Sequence, residues 1–204
     1  ATVTIVVEPV NDPPVAVDDA ISMTRGTPKV IDVLGNDSDI DGGALKVTAV
    51  TQPKTGEGTV ALVNGIVTFT PNPSFVGTTT FTYTISDGNG GTATATVTVT
   101  ITNRPPVAVN DGLIALVEDA LGVVIPVLGN DSDPDDDSLT VTSVGPAALG
   151  VATINANGTL TYVPDPNKNG SDSFTYEISD GKGGTATATV TLLITGVPDA
   201  PVAN

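Results

Sequence analysis

Cysteine, histidine and tryptophan are absent from this chain of 204 residues. The lack of cysteine excludes disulfides and thiol chemistry. The lack of histidine excludes the usual zinc sites and the nucleophiles that a histidine activates. The carboxylates that remain include no acid and base with a reason for separate pKa values. We therefore expect a protein that is not an enzyme.

Positive charge and aromatic side chains are scarce. The chain has 7 Lys and Arg against 23 Asp and Glu, and its formal net charge is −16. This charge disfavours nucleic acid and anionic membranes as partners, favours cations, and opposes self-association without divalent ions, so we expect a monomer. Only 3% of the residues are aromatic although 39% are hydrophobic. The core must therefore consist of Val, Ile, Leu and Ala, and the many Val and Thr residues favour strands.

No apolar run is long enough to span a bilayer, and no signal peptide is evident at the start, which is Ala1 rather than Met. We therefore expect no direct membrane insertion. We interpret the chain as a piece of a longer protein.

An acidic loop occurs twice in the sequence. Residues 36–50 read NDSDIDGGALKVTAV, and residues 130–144 read NDSDPDDDSLTVTSV. Three similar junctions, at 1–19, 95–111 and 188–204, enclose two longer bodies. This order indicates two repeated domains.

Alternation of apolar and polar residues predicts seven strands in each body. In the first body they cover residues 15–23, 28–33, 45–50, 58–62, 66–70, 78–86 and 92–102. No long segment has the period of a helix. The sequence predicts an all-β fold of two tandem seven-stranded Ig-like β-sandwiches. Its predicted parts are the last strand and linker of a preceding repeat (1–12), sandwich 1 (13–103), sandwich 2 (104–196) and the start of a following repeat (197–204).

The acidic loop carries carboxylates at every second position. Such carboxylates repel one another unless a hard cation lies among them, and Ca²⁺ accepts six to eight oxygen ligands with loose geometry. In an Ig-like sandwich this loop, the turn at 87–91 and the entering linker lie at one pole. We therefore predict a Ca²⁺ site at that pole of each domain. The predicted ligands are Asn11, Asp12, Asp19, Asp37, Asp39, Asp41 and Asp87 in the first copy, and Asn103, Asp111, Asp131, Asp133, Asp135 and Asp180 in the second.

The opening DSDIDG resembles an EF-hand loop, but the position that requires Glu holds Thr48 and the flanks are strands. Asp-rich runs also form turns for backbone reasons alone, which is the competing interpretation. The occurrence of the loop in both copies favours the Ca²⁺ site. Asn36 and Asn130 are interpreted as turn residues that bond their own backbone.

The segments NDPPVAVDD, VLGNDSDIDGGALKVTAV and TISDGNGGTATATVTVT resemble the cadherin-like, Ig-like (VCBS-type) tandem repeats of very large secreted bacterial adhesins of the RTX type. The resemblance covers the whole chain. It implies calcium-binding extender domains, secreted or on the cell surface, that support cell adhesion and biofilm formation. It also implies that the partners are neighbouring repeats of the same chain, and that ions between consecutive domains are held by the linker, the acidic loop and Asp87.

The second linker departs from the first. It has Asn103-Arg104 where the first has Asn11-Asp12, so a carboxylate is replaced by a cation. We expect weaker Ca²⁺ binding there, with Arg104 paired to the acidic residues 133–137 as a partial substitute for an ion.

Two other functions are compatible with the composition. A calcium-dependent carbohydrate-binding module would need exposed aromatic side chains, and Phe75 is the only obvious loop candidate. Ice binding would use the Thr rows at 92–102 and 185–191, although Thr on the wet face of a strand is also the default for a secreted β protein.

Overall fold

Residues 3, 4, 6 and 10–198 are described by the structure, which is a computed structural model. The chain divides into two compact units, residues 1–102 and 103–204. The strands of the first unit are β1 (Asp19–Thr24), β2 (Lys29–Ile31), β3 (Lys46–Val50), β4 (Gly58–Val63), β5 (Ile66–Pro71), β6 (Gly77–Ser86) and β7 (Thr92–Thr102). Those of the second are β8 (Asp111–Val117), β9 (Val123–Ile125), β10 (Thr140–Val144), β11 (Gly150–Ile154), β12 (Leu160–Pro164), β13 (Gly170–Ser179) and β14 (Thr185–Thr195). Among the described residues, the one helical element is a 3-10 helix at Val127–Gly129.

Two sheets face each other in each unit. Their strand orders are β1-β7-β6-β3 and β2-β5-β4 in the first unit, and β8-β14-β13-β10 and β9-β12-β11 in the second. Neighbouring strands are antiparallel except that β1 pairs with β7, and β8 with β14, in parallel. The first and last strands of each unit therefore run side by side. The prediction of two tandem seven-stranded Ig-like sandwiches is confirmed.

The core of the first unit follows the alternation of its strands. Phe81, Tyr83 and Ile85 of β6 are each 2% exposed or less, whereas the threonines between them lie on the outer face. The ring of Phe69 stacks on that of Phe81, with centroids 6.2 Å apart. Burying such side chains contributes about 1.5–3 kcal/mol each, so the strand pattern itself specifies the packing.

The core of the second unit contains a polar network that the described residues of the first unit do not form. Tyr162 stacks on Phe174 at 5.8 Å, and its hydroxyl donates to Oδ2 of Asp172 at 2.6 Å. Asp172 is only 6% exposed and also accepts hydrogen bonds from the backbone N–H groups of Ala148 and Leu149, at 3.0 and 2.9 Å. Burial raises the pKa of Asp172, but the donated hydrogen bonds outweigh burial and hold this pKa below its ordinary value.

The first strand is shorter than predicted. β1 begins at Asp19 rather than at Val15, because the backbone N–H of Val17 donates to the Oδ1 of Asp37 at 2.8 Å instead of to a neighbouring strand. Val15 keeps one isolated bridge, with Ser38. A side chain of the acidic loop therefore takes the place of the sheet ladder at this point.

The remaining strand predictions differ at their ends. β2 covers Lys29–Ile31 rather than 28–33, since Pro28 has no N–H for the ladder and the chain turns into the acidic loop after Ile31. β7 has the predicted bounds, and the other four strands differ by one residue. The strand expected at 1–8 lies mostly outside the described residues. No helix in the described part of the chain is long and apolar enough to cross a membrane.

Candidate cation-binding site

Three segments meet at one end of each unit: the entering linker, the acidic loop and a glycine-rich turn. Val15 and Ser38 join the first linker to its loop through two backbone hydrogen bonds, of 2.8 and 3.0 Å. Val107 and Ser132 do the same in the second unit, at 2.8 and 3.1 Å. We call these ends the first pole (residues 10–19, 34–43 and 87–91) and the second pole (residues 103–111, 128–137 and 180–184).

Asp87 organises the glycine-rich turn of the first pole. Its Oδ2 accepts a hydrogen bond from Nδ2 of Asn11 at 2.7 Å, and its Oδ1 accepts from the backbone N–H groups of Asn89 and Gly91 at 2.7 and 3.0 Å. The hydrogen bond from Asn11, followed by those from the backbone, holds the pKa of Asp87 below its ordinary value. One carboxylate thus shapes the turn and holds the linker against it.

Asp180 has the same role at the second pole and is 4% exposed. Its Oδ2 accepts from Nδ2 of Asn103 at 2.6 Å, and its Oδ1 accepts from the backbone N–H groups of Lys182 and Gly184 at 2.7 and 2.9 Å. Burial raises the pKa of Asp180, but these hydrogen bonds outweigh burial and hold the pKa low. Both turns therefore present an ionised carboxylate to the pole.

Glycine is required where the linker crosses this turn. A Cβ added to Gly91 would lie 2.9 Å from the Cα of Pro13, and one added to Gly184 would lie 2.8 Å from the Cα of Pro105. Contacts this short are not tolerated between carbon atoms. The sequence predicted a turn at 87–91, but the close contact of its glycine with the linker is evident only in the structure.

The aspartates of the first acidic loop do not act as one group. Asp37 points to the linker and core, Asp39 accepts the N–H of Asp41 through Oδ1 at 2.8 Å, and Asp41 accepts the N–H of Asp12 through Oδ2 at 2.7 Å. The Oδ2 atom of Asp39 is buried and has no hydrogen-bond partner. A buried carboxylate oxygen without a partner is costly unless a cation satisfies it.

A tighter cluster occupies the second pole. Carboxylate oxygens of Asp133, Asp137 and Asp180 lie within 4.8 Å of one another. Oδ1 of Asp133 accepts the backbone N–H groups of Asp135 and Asp137, at 2.7 and 3.3 Å, whereas its buried Oδ2 has no partner. Asp137, which replaces Gly43 of the first loop, was not among the predicted ligands. The alternation of aspartates continues to 137 and was the available signal.

A second, deeper pair of carboxylates lies beside each loop. The hydroxyl of Tyr83 is 2.9 Å from Oδ1 of Asp37 and 3.0 Å from the carbonyl oxygen of Val17. Burial raises the pKa of the neighbouring Asp19, and the charge of Asp37 raises it further against the hydrogen bond from Tyr83. Oδ2 of Asp19 is buried and has no partner. These two predicted ligands thus belong to a separate group under a tyrosine.

The second unit repeats this deeper pair. The hydroxyl of Tyr176 lies 3.2 Å from both oxygens of Asp131, and burial with the charge of Asp131 raises the pKa of Asp111. Oδ2 of Asp111 again has no partner. The sequence analysis did not identify the tyrosines as partners of these carboxylates, because a strand pattern does not reveal what the end of a long side chain reaches.

Arg104 is paired with the acidic loop of its own unit. Its Nε and Nη2 donate to Oδ1 of Asp135 at 2.8 and 2.6 Å, and Nη2 also donates to the carbonyl oxygen of Pro134. The side chain of Asp135 is 2% exposed and that of Arg104 is 45% exposed. The expected ion pair is therefore present in the structure.

The sequence analysis proposed that Asn36 and Asn130 bond their own loop backbone. In the structure, their side chains bond the linker instead. Nδ2 of Asn36 donates to the carbonyl oxygens of Val17 and Asp18, at 3.2 and 3.3 Å. Nδ2 of Asn130 donates to the carbonyl of Val109 at 3.0 Å. Because β1 begins at Asp19 and β8 at Asp111, these carbonyls lie before the strands and accept from the loop instead.

Comparison with known families decides the identity of the two units. The sequence model of the bacterial Ig domain matches residues 11–100 and again residues 103–193. The chain belongs to the bacterial Ig domain family. Bacterial Ig domains are usually extracellular and typically non-enzymatic, and a tandem of them is typical of an extracellular structural or adhesion repeat.

Solved structures with a similar fold include two cadherins and an enzyme. Extracellular domains 3–6 of protocadherin gamma B2 share 15% identity at a TM-score of 0.41, over 91% of this chain and 53% of that one. Domains EC1–4 of Drosophila N-cadherin share 13% at 0.38, over 91% and 50%. An endo-fucoidan hydrolase of glycoside hydrolase family 107 shares 18% at 0.34, over 91% and 29%. The bacterial Ig tandem thus spans about half or less of these chains, and the likenesses support no conclusion about its ligands. No curated protein matches the chain.

Proposed function

We propose that this tandem is a calcium-binding spacer of a secreted or surface-attached bacterial adhesin of the RTX type, with Ca²⁺ bound at both poles. The observation that carries the proposal is a set of four buried carboxylate oxygens without hydrogen-bond partners, two in each unit. They are the Oδ2 atoms of Asp19, Asp39, Asp111 and Asp133. Buried polar atoms in folded proteins almost always have partners, and these four therefore support the proposal that a cation binds at each pole.

The donor set fits calcium. The groups at the poles are carboxylates and backbone or amide oxygens, which hard cations prefer, and the chain offers no histidine or cysteine for softer metals. Asp39, Asp41 and Asp87 would hold the ion at the first pole, and Asp133, Asp137 and Asp180 at the second. Bound Ca²⁺ would neutralise carboxylates that otherwise repel one another. The protein itself orients them through the backbone N–H groups of the loop and turn.

As a spacer, each domain would act through its length and stiffness. β7 and β14 have 11 residues each, which at about 3.3 Å per residue gives on the order of 35 Å. Many such repeats would make a long arm that supports cell adhesion and biofilm formation. The partners would be neighbouring repeats of the same chain, with no nucleic acid and no direct insertion into a membrane, and the net charge of −16 would keep the chain monomeric.

Thermal unfolding of the whole chain in chelator, in millimolar Ca²⁺ and in millimolar Mg²⁺ tests the proposal. Calcium at about 100 times its dissociation constant stabilises a domain by ~2.7 kcal/mol. For a domain of about this size, that corresponds to a rise on the order of 10–20 °C in the midpoint. A midpoint that is the same in chelator and calcium would overturn the proposal, whereas equal effects of both cations would remove its specificity for calcium.

The carbohydrate-binding alternative loses its aromatic candidate. Phe75 is only partly exposed and packs against the core of the first unit. No observation favours the ice-binding alternative. The outer threonines bond one another across the strands, as Oγ1 of Thr84 and Thr94 do at 3.1 Å. Neither alternative is therefore proposed.

A further inference from the structure

Each linker contacts the equivalent carboxylate of its own acidic loop, which is Asp41 in the first unit and Asp135 in the second. The backbone N–H of Asp12 donates to Oδ2 of Asp41 at 2.7 Å. That of Arg104 donates to Oδ2 of Asp135 at 2.9 Å. The asparagine before each of these residues bonds the glycine-rich turn in the same way in both units. At the docked position the linkers differ in one side chain, a carboxylate in the first and a guanidinium in the second.

The docked residue of the first linker adds negative charge to an acidic surface. The backbone N–H of Asp12 places this residue beside Asp41, and Asp39 and Asp87 belong to the same pole. Within residues 10–198 the structure shows no ion pair with any of the four. Like charges gathered at one pole repel, and only a cation reverses the sign of the interaction. Repulsion therefore opposes docking of the first linker unless a cation is bound.

The docked residue of the second linker supplies the cation itself. Two nitrogens of the guanidinium bond Oδ1 of Asp135, the backbone N–H of Arg104 bonds Oδ2, and Nη2 reaches the carbonyl of Pro134. Charge-assisted contacts of several atoms in a fixed geometry are the strong class of hydrogen bonds. With Asp135 engaged in this way, the clustered oxygens of Asp133, Asp137 and Asp180 are left as a candidate cation site that draws on no linker carboxylate.

We propose that Arg104 replaces a divalent cation as the group that docks the second linker, so that the two poles differ in their need for calcium. The first linker docks on its domain only when a cation is bound. The second linker stays docked in chelator, and calcium at the second pole fills a site inside the domain. The statement about the first linker rests on the proposed function, whereas the statement about Arg104 does not.

Amide hydrogen exchange followed by NMR on the whole ¹⁵N-labelled chain tests this inference, because the two docking N–H groups report directly. In chelator, the amide at position 104 exchanges at least about tenfold more slowly than the amide at position 12, the factor that ~1.4 kcal/mol of charge-assisted bonding gives. In calcium chloride, both amides are protected.

Reciprocal substitutions test whether the guanidinium itself, and not the surrounding residues, keeps the linker docked. Arg104→Asp makes protection of the amide at position 104 depend on calcium, and calorimetry then shows tighter calcium binding at the second pole. Asp12→Arg makes the amide at position 12 protected in chelator. Arg104→Lys is the matched control, since it keeps the charge without the planar fork, and it gives intermediate protection. Amides of β6 and β13 keep their exchange rates in all variants, because the linker positions lie outside the cores.

The possible results separate this inference from the proposed function. An unchanged amide at position 104 in chelator after Arg104→Asp would overturn the role of Arg104, even if calcium stabilises both domains. Calcium without effect on any amide would overturn the proposed function, and the contrast between wild type and Arg104→Asp in chelator would still support the guanidinium contact. Weaker calcium binding after Arg104→Asp would contradict the replacement of an ion.

Discussion

The substitution Asp133→Asn should stabilise the second domain in chelator and destabilise it in calcium. Asparagine keeps an Oδ1 that can accept the N–H groups of Asp135 and Asp137, at the 2.7 and 3.3 Å of the wild-type contacts, so the loop geometry is retained. The Oδ2 without a partner becomes an N–H₂ group beside two carboxylates. In chelator the variant therefore loses repulsion and gains donors, whereas in calcium it loses a charged ligand.

The expected size follows from the cluster. Two carboxylates about 4 Å apart repel by ~1 kcal/mol in water and by ~4 kcal/mol at the effective dielectric constant of a protein surface. Asp133 faces two such groups, Asp137 and Asp180, within 4.8 Å. Because the backbone N–H groups of the loop and turn already compensate part of this charge, we expect a net gain on the order of 1–2 kcal/mol in chelator. In calcium, the variant should lose most of the ~2.7 kcal/mol that the ion contributes at 100 times its dissociation constant.

Differential scanning calorimetry of the whole chain measures both effects. The gain in chelator corresponds to a midpoint for the second domain that is ~5–15 °C higher, and in calcium the variant should unfold below the wild type. Asp39→Asn is the matched control, since the first loop has Gly43 where the second has Asp137, and its gain in chelator should be smaller. Destabilisation by Asp133→Asn in chelator would refute the argument from repulsion, and an unchanged calcium effect would exclude Asp133 as a ligand.

Two further predictions concern the second domain. Gly184→Ala should destabilise the pole by about 1–3 kcal/mol, because its Cβ would meet the linker at Pro105; Gly112→Ala, with open space around its Cβ, should have no such effect in the same urea titration, and equal effects would contradict the steric argument. Asp172→Asn should reduce the loss of stability of the second domain at acid pH. The pKa of Asp172 lies below its ordinary 3.8, so its stabilisation is present above pH 3.8 and disappears as the pH falls through the folded-state pKa. An unaltered pH profile for the variant would contradict this.

The strands could be predicted because their signal is local. In β7 every second residue from 95 to 101 is buried, and this period is written directly in the order of Thr, Ala, Val and Ile. The start of β1 could not be predicted in the same way. Its ladder is interrupted by Asp37, a side chain 20 positions away from Val17, and no local pattern announces a competitor that distant.

The candidate site could likewise be predicted only in part. The sequence by itself determined two sandwiches with an acidic loop and a carboxylate-bearing turn in each, since these follow from periodicity, turn chemistry and repetition. Only the tertiary structure decided that Asp37 turns under Tyr83, that Asp137 joins Asp180, and that Asp135 is the member of the acidic segment 133–137 that pairs with Arg104. These contacts join residues far apart in the chain. They depend on the strand order and on the parallel pairing of first and last strands, which bring the linker, loop and turn to the same end of each domain.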